Sequence, residues 1–145
     1  MRWKINEYPK YASAIREAER IYNIPRDLLG RVLFQESQFE ADKIAGKGRH
    51  KYGAIGIAGF MPIVGSKYGL ISNNTDLRYD PTHSIFAAAQ YLRDLRKRFT
   101  DWKTAVMAFQ WGQENVVNHK HKTETYPLPI DTSQYVAQIL ADVQI

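Results

Sequence analysis

Apolar residues recur at three- and four-residue spacing in one segment after another of this 145-residue chain, and no segment alternates them convincingly as a half-buried strand does. That periodicity restricts the chain to a mainly α architecture in which apolar stripes pack against one another. Tyr11, Ala12, Ile15, Ala18, Ile21 and Tyr22 form the first stripe, ended by Asn23 and Pro25. Pro25 can open a second helix, because a missing N–H costs nothing there, and Leu28, Leu29, Val32, Leu33 and Phe39 line it. Asp80-Pro81 pairs a cap with a first-turn proline, and Ile85, Ala88, Ala89, Leu92, Leu95 and Phe99 follow on one face. Thr100-Asp101 caps a further helix carrying Trp102, Ala105, Val106, Phe109, Gln113 and Val116, with Gly112 inside it at a cost of about 1 kcal/mol. Asn118 to Pro129 reads as a loop. A last helix, capped near Asp131, Thr132 or Ser133, buries Tyr135, Val136, Ile139, Leu140 and Val143.

Between Phe39 and the Asp80 cap the pattern lapses. Gly46, Gly48, Gly53, Gly56 and Gly59 fall in this stretch without the spacing or flanking strand of a dinucleotide loop. They suit tight turns and close backbone approach to a ligand or helix. The expected architecture is one domain over residues 1–145, helical, with an irregular glycine-rich lobe.

Glu36 is the residue that does not fit its surroundings. It lies inside the apolar stripe of the second helix, four residues after Val32. A carboxyl facing apolar neighbours loses hydration, its charged form is disfavoured and its pKa rises. Such a group can hold a proton near neutral pH and donate it to a leaving group. The alternative is a structural glutamate neutralised by an arginine or a backbone amide, or one that reaches water at a fraying helix end. Glu40, Asp42, Asp76 and Asp80 are the candidates for a second acid. None shares the apolar setting of Glu36, and Asp80 is better explained as a cap.

Other chemistries find little support. The chain has no cysteine, so thiolate metal sites, disulfides and cysteine nucleophiles are excluded. His50 and His83 are isolated, and His119-Lys120-His121 lacks a carboxylate at ligand spacing, so neither a metal nor any other cofactor is expected. No serine sits in a nucleophile elbow. A formal charge of +5 suits polyanions, whether nucleic acid, anionic lipid or cell-wall polymer. Arg93, Arg96, Lys97 and Arg98 complement the negative end of their own helix, and no basic stripe is interleaved with aromatics, so nucleic acid is not expected. No apolar run is long enough to insert in a membrane. Met1 to Glu7 lacks the apolar core of a signal peptide.

Five ordered blocks from about Ile24 to Ile139 resemble the lytic transglycosylases with a goose-type-lysozyme-like catalytic domain. Glu36-Ser37 followed by Phe39 is similar to the family's E-S-x-F, and Gly53-Ala54-Ile55-Gly56-Ile57-Ala58-Gly59-Phe60-Met61-Pro62 to its G-A-x-G-L-M-Q-x-M-P. Asp80-Pro81 with Ile85 and Tyr91-Leu92 resembles the next helix. Ala105 to Gly112 stands where the family has A-x-x-A-Y-N-A-G, and Asp131 to Val136 resembles E-T-x-x-Y-V. The chain departs from the pattern at Ala58, Gly59, Phe109, Gln110 and Asp131, which replace methionine, glutamine, tyrosine, asparagine and glutamate. The stretch from Phe39 to Gly53 is longer than in the best-known members, and His50 stands near a position where many carry serine.

The resemblance implies a lysozyme-like fold and peptidoglycan glycan strands as the partner. It implies Glu36 as the catalytic acid and base, with Ser37, Gly59, Met61, Phe109, Gln110 and Tyr135 at the substrate. The product would be a 1,6-anhydro sugar. A hydrolytic muramidase using Asp42 or another loop acid as base, or a non-catalytic wall-binding or virion structural module, are the alternatives. The place of action would be the periplasm or cell wall, reached through a phage, a virion or secretion assembly, or other delivery.

Overall fold

The computed structural model describes residues 5–47, 53–122, 125–141, 143 and 145; His50 lies outside them. Eight helices dominate the described residues: α1 (Pro9–Ile21), α2 (Leu28–Ser37), α3 (Ala41–Ile44), α4 (Pro62–Lys67), α5 (Pro81–Phe99), α6 (Trp102–Trp111), α7 (Gln113–His121) and α8 (Ile130–Leu140). Two short strands, β1 (Ile71–Ser72) and β2 (Thr75–Asp76), pair antiparallel with Ile71 opposite Asp76. The mainly helical expectation therefore holds. The glycine-rich stretch is less irregular than it reads, but α3, α4 and the hairpin are too short to leave a periodic signal.

The long helix α5 runs through the middle of the fold and packs against α1, α2 and α6, while α8 closes over α2 and α6. Its stripe of Ile85, Ala88, Ala89, Leu92, Leu95 and Phe99 is buried throughout. Leu28, Leu29, Val32 and Leu33 of α2 are completely buried. Each such side chain removed from water contributes roughly 1.5–3 kcal/mol, which fixes the rotation of α2 about its axis. That rotation decides where Glu36 points.

Several boundaries differ from expectation for local reasons. The second helix opens at Leu28, not Pro25, because Asp27 is left-handed at φ 74° and Pro25 closes a turn by accepting the Leu28 N–H at 3.0 Å. Its Leu29 N–H is capped from another helix, by Glu19 Oε2 at 3.1 Å. Ile21, assigned to the first stripe, is the last residue of α1 and is exposed. The single helix expected from Trp102 to Val116 is two, broken where Gly112 takes φ 98° and ψ 147°, a backbone that side-chain-bearing residues avoid. The second piece, α7, carries Asn118 to His121 in helix, where a loop was expected. The last helix has Pro129 at its cap position and no side-chain cap; Thr132 is buried instead. Asp80 and Asp101 do cap α5 and α6, accepting the N–H groups of Thr82 at 3.0 Å and Thr104 at 2.7 Å. No described helix is long and apolar enough to cross a membrane.

Candidate active site

Glu36 sits in the last turn of α2, and the two residues beyond Ser37 stop the helix there. Gln38 and Phe39 are both left-handed, at φ 54° and 52°. For residues with a Cβ this costs roughly 1–2 kcal/mol each. The turn delivers Phe39 into a cluster of rings, 4.9 Å from Tyr8, 5.4 Å from Tyr11 and 5.5 Å from Phe34. Burying that ring offsets the strain. Ser37 belongs to the same device. Its hydroxyl donates to the Leu33 carbonyl at 3.0 Å and accepts the Phe39 N–H at 3.2 Å, and none of the residue is exposed. The expectation that Ser37 meets substrate is therefore corrected: its side chain has no surface to offer, and it shapes the chain behind Glu36.

The Glu36 carboxyl accepts a hydrogen bond from the Tyr135 hydroxyl, 2.8 Å from Oε1. Tyr135 comes from α8, which packs on α2. Burial raises the Glu36 pKa to about 7, and the Tyr135 bond opposes that rise without cancelling it. Burial and the adjacent Glu36 hold Tyr135 well above its own ordinary value, so it remains a donor. No lysine, arginine or histidine among the described residues pairs with Glu36. The structural alternative of a glutamate neutralised by a guanidinium thus finds no support among the described residues.

The glycine-rich loop forms the wall opposite. Ile55 and Phe60 exchange backbone hydrogen bonds at 3.2 and 3.1 Å, and Gly59 donates to the Gly56 carbonyl to close the turn between them. Gly59 is left-handed at φ 61°, and a Cβ built on it would lie 2.6 Å from Glu36 Oε2. The loop is thus in contact with the acid, and a side chain at this point would require the Glu36 carboxyl to shift.

The cleft so formed has a volume of about 390 Å³. Met61 stands partly exposed along it, and Phe109 lines it between Phe60 and Tyr91, with ring centroids 6.0 and 5.3 Å away. Gln110 is exposed in the cleft while its Oε1 accepts the Thr132 hydroxyl at 2.8 Å. Gly59, Met61, Phe109 and Gln110 thus lie with Glu36 along one cleft, and Tyr135 reaches it through the carboxyl. Trp111 and Tyr91 also line it; in the sequence both fall within the family-like blocks, and neither is assigned there to the site. Arg78 was missed as well. Its buried guanidinium donates to the carbonyls of Gly53 and Phe60, partners that leave no trace in sequence.

Among the described residues Glu36 is the one carboxyl lining the cleft. Asp76 is engaged by Arg78 at 2.8 Å and held below the usual carboxylate range by that hydrogen bond. Asp80 caps α5 and meets His83 at 2.7 Å. Glu40 and Asp42 are exposed and outside the cleft lining. Among the described residues the lining also lacks lysine and arginine. No group of three metal-ligating side chains occurs among the described residues.

The family model described as Transglycosylase SLT domain matches residues 13–128. A transglycosylase of Enterobacteria phage PRD1 is 31% identical over 113 residues, covering 78% of this chain and 38% of the phage protein. Membrane-bound lytic murein transglycosylase D of Escherichia coli is 32% identical over 130 residues, covering 82% of this chain and 27% of that protein. The chain thus spans well under half the length of these relatives. An inactive mutant of lytic transglycosylase Slt from Pseudomonas aeruginosa superposes with a TM-score of 0.70 at 22% identity, covering 89% of this chain and 22% of that one. At that identity the likeness is one of fold, and the fold is the mainly α, lysozyme-like one expected.

Proposed function

The chain belongs to the transglycosylase SLT domain family, and from that premise we propose that it cleaves the β-1,4 bond between N-acetylmuramic acid and N-acetylglucosamine in peptidoglycan, with Glu36 as acid and then base. The observation that carries this reading is a carboxyl with a pKa of about 7, bonded to a tyrosine hydroxyl, with no second carboxyl in the described cleft lining. Near neutral pH such a group is protonated in a large fraction of molecules and ionised in the rest, as a single acid–base residue requires.

Tyr135 donates to Oε1, which leaves Oε2, on the Gly59 side, to carry the proton. Oε2 protonates the bridging oxygen, the glycosidic bond breaks, and the glucosamine end leaves as an alcohol. The acetamido oxygen of the muramic residue closes on its anomeric carbon, a substrate-assisted route that needs no enzyme nucleophile. The muramic C6 hydroxyl then attacks that carbon, reopens the acetamido ring and returns its proton to Glu36. The product is a 1,6-anhydro sugar, and water is neither consumed nor released. Met61 and Phe109 offer apolar surface to the sugar faces, and Gln110 offers its amide.

The reaction takes place at the cell wall, and kinship with a phage protein favours a chain delivered there in a larger assembly. Purified peptidoglycan incubated with the protein should release muropeptides with anhydro ends by mass spectrometry, and Glu36→Gln should release none. Reducing ends would instead make the protein a hydrolytic muramidase. Co-sedimentation with walls without product would make it a binding module.

A further inference from the structure

We infer that Arg78 is a positioning residue: it grips the loop from Gly53 to Phe60 and holds the Gly59 wall against Glu36, limiting the water that reaches the half-buried acid from the loop side. The inference rests on Glu36 being the acid of the proposed reaction, although Arg78 touches neither Glu36 nor the cleft.

One residue holds the loop at its start, middle and end. Arg78 Nη1 donates to the Gly53 carbonyl at 3.0 Å and to the Phe60 carbonyl at 2.9 Å. Between these, Gly56 packs so closely that a Cβ there would fall 2.0 Å from the Arg78 carbonyl oxygen. The guanidinium is itself fixed. Its Nε and Nη2 meet the Asp76 carboxylate at 2.8–3.2 Å, and the Arg78 N–H donates to the same group at 3.0 Å. The Ser84 hydroxyl, buried at the start of α5, donates to the Arg78 carbonyl at 3.0 Å. The loop is therefore tied to the long central helix through Arg78.

The guanidinium is buried while the Asp76 carboxylate stays partly in water, and such a pair is weak evidence of stability, because desolvating the arginine offsets part of the attraction. Holding a loop in one place is a different task, and the planar fork of arginine suits it, reaching two carbonyls and a carboxylate at once. The loop carries Gly59, whose backbone abuts Glu36 Oε2. If the loop retreats by an ångström or two, more water reaches that oxygen and the ionised form gains hydration. The titratable groups that line the cleft or bond the carboxyl are few among the described residues. Tyr135 comes from α8 and Tyr91 from α5, while the loop, α4 and α6 contribute none. A shift in Glu36 titration on loosening the loop would therefore come from hydration, not from a neighbouring charge.

The test compares wild type with Arg78→Lys and Arg78→Gln. A lysine ammonium is a point donor that cannot span the carboxylate and both carbonyls. The Glu36 carboxyl is followed by NMR titration of protein labelled with carbon-13 at the glutamate side-chain carboxyl, beside kcat against pH on a soluble glycan oligomer. In the folded variants the Glu36 pKa should fall by about one unit toward the ordinary carboxyl value, and the alkaline limb of kcat should move down with it. A residue that served stability alone would lower the melting temperature and leave both pH readings in place. An unchanged Glu36 titration in a folded Arg78 variant overturns the inference, whatever happens to the rate. Should neither variant fold, Asp76→Asn, which frees the guanidinium from its anchor, is read in the same way. The titration does not depend on turnover, so a shift in a protein that releases no product would spare the clamp and sink the proposed reaction.

Discussion

The Tyr135 hydroxyl donates to Glu36 Oε1 across 2.8 Å, joining α8 to α2 over 99 residues of chain. The bond favours the ionised carboxylate, and burial favours the neutral acid. Burial is the stronger influence, and the balance sets the carboxyl near pH 7. Glu36 is thus poised by two opposed effects, and each can be removed separately.

Tyr135→Phe removes the opposing bond and keeps the ring that fills the core. A hydrogen bond to a charged group is worth roughly 1.5–3 kcal/mol, so the Glu36 pKa should rise by about one to two units. The alkaline limb of the pH–rate profile should move upward, opposite to the shift expected for the Arg78 variants. At pH 6, where the acid is protonated in both proteins, kcat should fall about tenfold because the carboxyl is no longer oriented. A limb that stays in place would mean the bond does not act on the ionised form.

Glu36→Gln should abolish turnover and yet make the protein more stable at alkaline pH. The sign follows from proton binding. The unfolded glutamate ionises near 4.5 and the folded one near 7, so between those values the native state holds more protons and stability falls as pH rises. Above pH 7 the full cost of ionising a buried acid is present, roughly 3 kcal/mol from the separation of the two values. Glutamine never bears it. Urea unfolding should give similar free energies for the two proteins at pH 4.5 and a clear advantage for Glu36→Gln at pH 8. Equal stability at pH 8 would show that Glu36 ionises as an ordinary surface acid.

Gly59→Ala tests the contact between loop and acid, and Gly69→Ala is its control. Both glycines are left-handed, at φ 61° and 76°, so an alanine at either position carries a similar backbone penalty of roughly 1–2 kcal/mol. Only the first meets Glu36, at 2.6 Å; a Cβ on Gly69 has nothing within 4 Å. Both variants should lose comparable stability by thermal unfolding. Gly59→Ala alone should lose kcat, by about tenfold or more, because the carboxyl must move. Equal loss of activity in the two variants would reduce Gly59 to an ordinary turn residue.

What could be read in the sequence depended on whether an interaction leaves its mark within one element. The stripe of α5 repeats over 19 residues behind Asp80-Pro81, so its position, burial and cap were all legible. Glu36 was legible because a charge inside an apolar stripe is an anomaly at the scale of a single helix. Gly112 was not, since propensity cannot tell a costly glycine within a helix from one that ends it. Pro25 misled because the left-handed Asp27 after it depends on tertiary contacts. Ser37 was assigned to substrate through its motif position, while its two backbone partners show it turning the chain. Arg78 was invisible because its loop partners are main-chain carbonyls 18 and 25 residues away.

The junction of α1 and α2 offers a test away from the cleft. Glu19 is 4% exposed, and its Oε2 accepts the Leu29 N–H at 3.1 Å while Oε1 meets Arg16 at 3.3 Å. Arg16 also pairs with Asp27 at 2.6 Å, so it keeps a partner if Glu19 is lost. Glu19→Ala leaves the N–H at the start of α2 buried without an acceptor and opens a small cavity, a loss of roughly 2–4 kcal/mol. Glu19→Gln retains an acceptor oxygen and should cost much less. Burial raises the Glu19 pKa above its unfolded value of 4.5, so ionising it weakens the native state as pH rises through the range between the two. The glutamine variant should therefore gain on wild type between pH 4.5 and pH 8, while the alanine variant stays well below both. Urea unfolding at the two pH values measures all three proteins. Equal losses for alanine and glutamine would mean that the Leu29 N–H finds its partner elsewhere and that Glu19 does not cap the helix that carries Glu36.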